Sequence, residues 1–108
     1  MPREISVQEL ARHIADGGAL LLIDVRQPWE HALAALPSSV LIPLGELPGR
    51  LADLQPAPGA TVIAYCHHGI RSLSAAVFLE RAGFENVHSL AGGIDAWSVQ
   101  VDPAVPRY

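Results

Sequence analysis

Apolar positions along this chain come in short blocks of two kinds, one spaced for helices and one for strands. Ser6-Val7-Gln8-Glu9 has the form of a capping box, in which the Ser6 hydroxyl accepts the Glu9 N–H and the Glu9 carboxylate reaches back. Leu10, Ala11 and Ile14 then recur at helical spacing until Gly17-Gly18 ends the helix. Residues 19–25, ALLLIDV, form an apolar run broken only by Asp24, the pattern of a strand covered on both faces as in a parallel sheet. Pro28 suits the first turn of a helix that follows. Val40-Leu41-Ile42 is a second apolar segment, closed by Pro43, and Leu47, Leu51 and Leu54 mark a helical stripe that Gln55-Pro56-Ala57-Pro58-Gly59 stops. Thr61–Tyr65 is rich in β-formers and reads as a strand. Beyond it, Leu73, Ala76, Val77, Phe78 and Leu79 make the apolar face of a helix starting near Ser72, with Gly83 placed as its C′ residue. Val87–Leu90 is another strand, and a brief helix from Gly92 to Trp97 lays Ile94 and Trp97 on the core. Residues 99–108 carry two prolines and read as an extended tail that either wraps the surface or is partly mobile. Strands alternating with helices at least four times predict right-handed crossovers. The expected fold is α/β, a mainly parallel central sheet of four to five strands with helices on both faces.

Composition narrows the setting. The 108 residues are expected to form one domain, 1–108, long enough to bury roughly 60 to 70% of the surface its unfolded chain exposes. The lone cysteine, Cys66, cannot form an internal disulfide, which fits a reducing compartment, and the charged N-terminal stretch reads as neither signal peptide nor membrane span. A cytoplasmic protein is the expectation. Formal net charge is −4, from 7 basic and 11 acidic residues, and the basic residues, all arginine, stand singly. A nucleic-acid footprint would need them clustered, so neither a nucleic acid nor a membrane is expected as partner.

The candidate chemistry lies where the strand Thr61–Tyr65 delivers Cys66 into the loop Cys66-His67-His68-Gly69-Ile70-Arg71 and straight into a helix. A helix N-terminus presents unpaired backbone N–H groups and partial positive charge, which stabilise an anion or a thiolate. A cysteine held there is reactive. Gly69 supplies a positive φ where the loop must close. Arg71 has two readings: contact with a substrate, or a fork that ties the loop to an acid such as Asp24 or Glu30. His67 and His68 read either as polar neighbours of the thiolate or as exposed loop residues. Adjacent ligands converge poorly on one ion and Arg71 opposes a cation, so no metal site is expected from Cys66, His67 and His68, and no cofactor is implied. Arg26, at a strand's carboxyl end beside Asp24, is placed where α/β sheets bind ligands. His13, His31 and His88 read as surface residues, and Trp29 and Trp97 as packing residues.

Five motifs in order then resemble one family, the rhodanese-like sulfurtransferases. They are Asp24-Val25-Arg26 with Pro28-Trp29-Glu30; Ile42-Pro43-Leu44-Gly45-Glu46-Leu47; Tyr65-Cys66-His67-His68-Gly69-Ile70-Arg71-Ser72; Ala82-Gly83-Phe84-Glu85-Asn86-Val87; and Leu90-Ala91-Gly92-Gly93-Ile94-Asp95-Ala96-Trp97. The resemblance implies a single-domain member with a persulfide-forming cysteine at Cys66 and with Arg26 lining the anionic-substrate pocket; beside it, the loop residues His67, His68, Gly69, Ile70 and Arg71 are the expected substrate contacts. It implies a small sulfur-containing substrate and a protein or thiol as sulfur donor or acceptor. One departure stands out: where the family has Gly-His-Ile-Pro-Gly-Ala, this chain has Ala34-Ala35-Leu36-Pro37-Ser38-Ser39.

Three functional classes follow from the loop. The first is a sulfurtransferase that takes a sulfane sulfur from thiosulfate or a persulfide onto Cys66 and passes it on, to cyanide in the test tube or to a thiol or protein in the cell. The second is a cysteine phosphatase or arsenate reductase, whose longer loop surrounds a tetrahedral oxyanion; the four residues between Cys66 and Arg71 make a ring better matched to one sulfur atom. The third is a non-catalytic module that presents the loop to a partner protein.

Overall fold

The computed structural model describes residues 3–108. Its elements run β1 (Arg3–Ile5), α1 (Val7–Ala15), β2 (Leu20–Asp24), α2 (Pro28–Leu33), β3 (Val40–Leu41), a 3₁₀ segment (Leu44–Asp53), β4 (Thr61–Tyr65), α3 (Ile70–Arg81), β5 (Val87–Leu90) and α4 (Gly93–Gln100). The five strands form one sheet in the order β1-β5-β4-β2-β3, and every pairing is parallel. Among the described residues no helix is long and apolar enough to cross a membrane.

Strand parity sorts the side chains into two layers, because successive residues point to opposite faces. Ile23 and Val25 from the β2 segment, with Val62, Ala64 and Cys66 from β4, pack under α3 and the 3₁₀ segment through Ala75, Ala76, Leu79, Leu47 and Leu54. Leu22, Ile63 and Tyr65 face the other way, against Val7 and Leu10 of α1, Ile94 and Trp97 of α4, and Ala34 and Leu36 after α2. The continuous apolar runs of β2 and β4 are therefore what two-sided burial demands. The capping box expected at the start of α1 is present in both directions, Glu9 N–H to Ser6 Oγ at 3.1 Å and Ser6 N–H to Glu9 Oε1 at 3.2 Å.

Three elements differ from the sequence expectation. β1 is an edge strand of three residues, two of them charged, too short to carry a period; it exists because Ile5 pairs beside Leu90. Of the stripe Leu47, Leu51 and Leu54, the first two lie on 3₁₀ turns, not on an α-helix, and Leu54 follows them in extended backbone. Pro48 sits inside, where it lacks an N–H and crowds the preceding turn, and Arg50 breaks the helical dihedrals at φ −125°. Finally α4 runs to Gln100, so the tail begins after the helix and not at Val99, and its first residues form turns where an extended course was expected. Trp97 is buried as expected, whereas Trp29 is 61% exposed and packs little.

The fold brings the start of α4 against the loop that follows β4. Ile94 N–H donates to Cys66 O at 2.9 Å and Asp95 N–H to His67 O at 3.1 Å. Gly93 makes this approach possible: its φ is +61°, and a Cβ there would lie 2.4 Å from His67 O and 2.5 Å from Cys66 O. Both obstacles are backbone atoms that cannot swing aside. Gly93→Ala is therefore expected to cost at least about 2 kcal/mol in denaturant unfolding and to shift the amide resonances of residues 66–68; unchanged stability would show that the two loops have room to part.

Candidate active site

Cys66 continues the β4 alternation and turns its side chain into the α3 layer, where the residue is 1% exposed. The chain then curls around the sulfur. Gly69, at φ +108°, turns its N–H onto Sγ at 3.2 Å, and Ser72 in the first turn of α3 directs its own N–H there at 3.3 Å. Ser72 Oγ lies 3.5 Å from Sγ, donates to Gly69 O at 3.2 Å, and is 2.8 Å from the buried Ser89 Oγ of β5. No acidic side chain stands in the first turn of α3, so the helix end keeps its positive character toward the sulfur. Fixed N–H groups aimed at one atom are the geometry that stabilises negative charge on it.

The rest of the loop separates by role. His67 is half-buried, while the Ile70 side chain is 82% exposed and lies outside the ring of donors. His68 is largely exposed and stacks on His67 with ring centroids 3.9 Å apart. His67, His68 and Asp95 bring ligand-type atoms within 4.8 Å of one another, without the cysteine. Asp95 is held by Arg107 at 2.9 Å and the two imidazoles lie face to face, so this group is already engaged in an ion pair and a stack.

Arg71 makes the tie to an acid: its fork grips Glu30 at 2.7 and 2.9 Å. Glu30 is 3% exposed; its Oε1 also accepts Gln27 N–H at 3.0 Å, and its Oε2 accepts the Tyr108 hydroxyl at 2.6 Å. The Arg71 hydrogen bonds foremost hold its carboxyl near 2, against the opposing effect of burial.

Arg26 does not line a pocket. It is 0% exposed, with Nε and Nη2 on the two oxygens of Asp24 at 2.8 and 2.7 Å, Nη2 also on Ala34 O, and Nη1 on the Tyr108 hydroxyl at 2.8 Å. Its guanidinium carbon stands 5.3 Å from the Tyr65 ring centroid. With its fork used in this way, Arg26 braces α2 and the tail beneath the site. His31, expected at the surface, has a side chain 30% exposed and places its Nδ1 2.8 Å from Asp24 Oδ2. In the segment that departs from the family pattern, Ser38 takes φ +59°, a left-handed conformation at the place where the family carries glycine. Ser39 Oγ and Leu36 N–H both reach the Tyr65 hydroxyl, at 2.8 and 3.1 Å, and hold that turn.

Sequence reasoning passed over Ser72, Ser89 and Tyr108 as site residues. Ser72 carries a signal, the third residue of a helix that follows a cysteine loop; Ser89 and Tyr108 reach the site only through tertiary packing.

The model of the rhodanese-like domain matches residues 6–100, and the chain belongs to that family. It is 34% identical over 98 residues to a sulfurtransferase of Allochromatium vinosum, a match covering 91% of this chain and 90% of that protein. It is 33% identical over 104 residues to the probable adenylyltransferase/sulfurtransferase MoeZ of Mycobacterium tuberculosis, covering 96% of this chain but 26% of that longer protein. Among solved structures, a rhodanese-related protein of Thermoplasma volcanium superposes with a TM-score of 0.82 at 30% identity, over 98% of this chain and 99% of that one.

Two predictions follow from the buried charges. Arg26→Leu leaves Asp24 buried without its guanidinium and is expected to lower unfolding free energy by about 3–5 kcal/mol; a variant as stable as wild type but poor in turnover would place Arg26 at the substrate instead. Glu30 has a folded-state pKa of about 2 against an ordinary 4.5, so its contribution is complete above 4.5 and is lost as pH falls toward 2. That difference corresponds to about 3 kcal/mol. Glu30→Gln should therefore destabilise by about 2–3 kcal/mol at neutral pH, and the gap to wild type should narrow in acid, measured by urea titration across pH; a gap independent of pH would separate Glu30 from acid sensitivity.

Proposed function

We propose that this protein is a sulfurtransferase working through a persulfide on Cys66. The observation that carries the reading is the pair of backbone N–H groups, from Gly69 and Ser72, directed at a buried Sγ at the head of α3. The Cys66 thiolate attacks the sulfane sulfur of a donor, and the donor's S–S bond breaks with its electron pair leaving on sulfite or on a thiolate. The new Cys66 S–S⁻ carries its charge on the outer sulfur. A thiophile, cyanide or a thiol, then attacks that outer sulfur and returns Cys66 as thiolate. The fixed N–H donors need no reorientation as charge moves between the two sulfurs, which is how preorganised dipoles lower such a barrier.

The donor class follows from where the cations are. Arg26 is buried against Asp24, and Arg71 is held by both oxygens of Glu30. Little unpaired positive charge is left to attract a dianion, so thiosulfate is the poorer donor and a thiol persulfide, such as glutathione persulfide or a protein persulfide, the better. The sulfurtransferase names of the relatives support the reaction class. A thiol or protein acceptor fits a cytoplasmic setting.

After incubation with a persulfide donor, mass spectrometry is expected to show one added sulfur on wild type and none on Cys66→Ser, with thiocyanate formed on adding cyanide. A wild type that never gains sulfur overturns the reading. Turnover per mole of donor, compared as kcat/KM, should favour glutathione persulfide over thiosulfate by at least ~10-fold, a difference of about 1.4 kcal/mol; a preference for thiosulfate would refute the assignment of donor class.

A further inference from the structure

The chain beyond α4 turns back toward the cysteine loop. Val101 and Asp102 N–H groups both donate to Trp97 O at 2.9 Å, and Val105 N–H donates to Asp102 O at 3.1 Å, which reverses the chain. Val101, Val105 and Tyr108 pack against the core layer of α1 and α4, and Arg107 pairs with Asp95 at 2.9 and 3.3 Å. These contacts deliver Tyr108 to the site, where it meets His67 of the loop and Glu30 and Arg26 of the charge pairs that brace it. The ring lies 3.9 Å from the His67 ring at an interplanar angle of 7°, and meets Trp29 edge-on at 5.8 Å. The hydroxyl donates to Glu30 at 2.6 Å and accepts from Arg26 at 2.8 Å.

We propose that Tyr108 is a positioning residue for the Cys66 loop: its ring fixes His67 at one end, and its hydroxyl joins the Glu30–Arg71 pair at the other end to the buried Arg26–Asp24 pair. The proposal deepens the sulfurtransferase reading and rests on it for its meaning in turnover. His67 is clasped between Tyr108 on one face and His68 on the other, and its Nε2 is buried without a hydrogen-bond partner among the described residues. Stacking therefore sets the orientation of that imidazole. At the other end, Arg71 is oriented by Glu30, and Glu30 is itself shared with the Tyr108 hydroxyl. One side chain thus reaches both ends of a loop whose backbone must hold Gly69 and Ser72 on the sulfur.

The groups that face His67 are His68 in the loop, Asp95 of α4 with its partner Arg107, Glu30 of α2, Arg71 of α3 and Tyr108 itself. Burial first, and His68 second, keep the His67 pKa low against the pull of Asp95 and Glu30. Taking away the Tyr108 ring uncovers the imidazole and should let it protonate more readily, whereas a structural tail without this role would leave it unchanged.

The test uses the full chain, with NMR titration of the histidines, alkylation of Cys66 by iodoacetamide, and steady-state sulfur transfer. Tyr108→Ala is expected to move the His67 titration up toward the ordinary histidine range, to change the alkylation rate of Cys66, and to lower kcat ~10-fold while KM for the donor changes little, as misplacement of a reacting group does. Tyr108→Phe keeps the ring and should keep the wild-type His67 titration while losing part of the rate through Arg71. Should Tyr108→Ala fail to fold, Tyr108→Leu, apolar but without a ring to stack, takes its place with the same expectation. A folded ring-less variant with wild-type His67 titration and wild-type alkylation overturns the proposal. Neither of those readouts needs turnover, so a wild type that forms no persulfide defeats the sulfurtransferase reading alone and leaves Tyr108 judged by them.

Discussion

Asp24 and Glu30 are carboxylates that this fold removes almost wholly from water, and their need for cations arranges everything around the sulfur. A buried carboxylate without a partner is costly by several kcal/mol, so each must be met by a guanidinium with good geometry. Asp24 finds Arg26 two residues along the chain, a local solution that fixes the end of β2 and, through Ala34 O, the end of α2. Glu30 finds Arg71, 41 residues away, and this pair is what fastens α2 to the first turn of α3. Loosening either pair would release the segment that holds the helix end on Cys66.

This arrangement has a chemical consequence. With the guanidinium groups of Arg26 and Arg71 engaged by carboxylates, the groups in direct contact with Sγ are the backbone N–H groups of Gly69 and Ser72 at the end of α3, and Arg71 adds a longer-range attraction. A hydrogen bond to a charged acceptor contributes on the order of 1.5–3 kcal/mol, whereas an exposed ion pair is worth less than about 1 kcal/mol and is screened by salt. Short, buried and covalently fixed dipoles are thus the larger effect. They suit a charge localised on one sulfur better than a large oxyanion, which needs cations at several points.

What could be read from the sequence is what local spacing encodes. The capping box at Ser6, the two-sided strands of β2 and β4, and Cys66 between a strand and a helix each follow from neighbouring residues, and each was expected. β1 was not, because three residues carry no period and their pairing with β5 spans most of the chain. The leucine stripe marks a helix over this segment but does not show its type; Pro48 inside it goes with 3₁₀ turns. A place at a strand's carboxyl end points Arg26 toward substrate; its burial depends on Tyr108 and Ala34, which no spacing rule brings to it. Ser89 and Tyr108 were missed for the same reason, since each meets the site across a tertiary contact.

The parity of β4 explains why those tertiary contacts matter more than their small area suggests. Tyr65 and Cys66 are adjacent in sequence and so point to opposite faces of the sheet. Tyr65 goes to the layer of α1 and α4, where its ring lies beside Arg26 and its hydroxyl holds the turn at Leu36 and Ser39. Cys66 goes to the layer of α3. The charge brace and the reactive sulfur therefore sit on different sides of the same strand, and core packing within either layer does not couple them. Coupling has to pass over the carboxyl edge of the sheet, and Glu30–Arg71 crosses there, with the Tyr108 hydroxyl tying Glu30 back to Arg26. A few polar contacts at that edge, and not the larger apolar area beneath them, keep the loop in register with its brace.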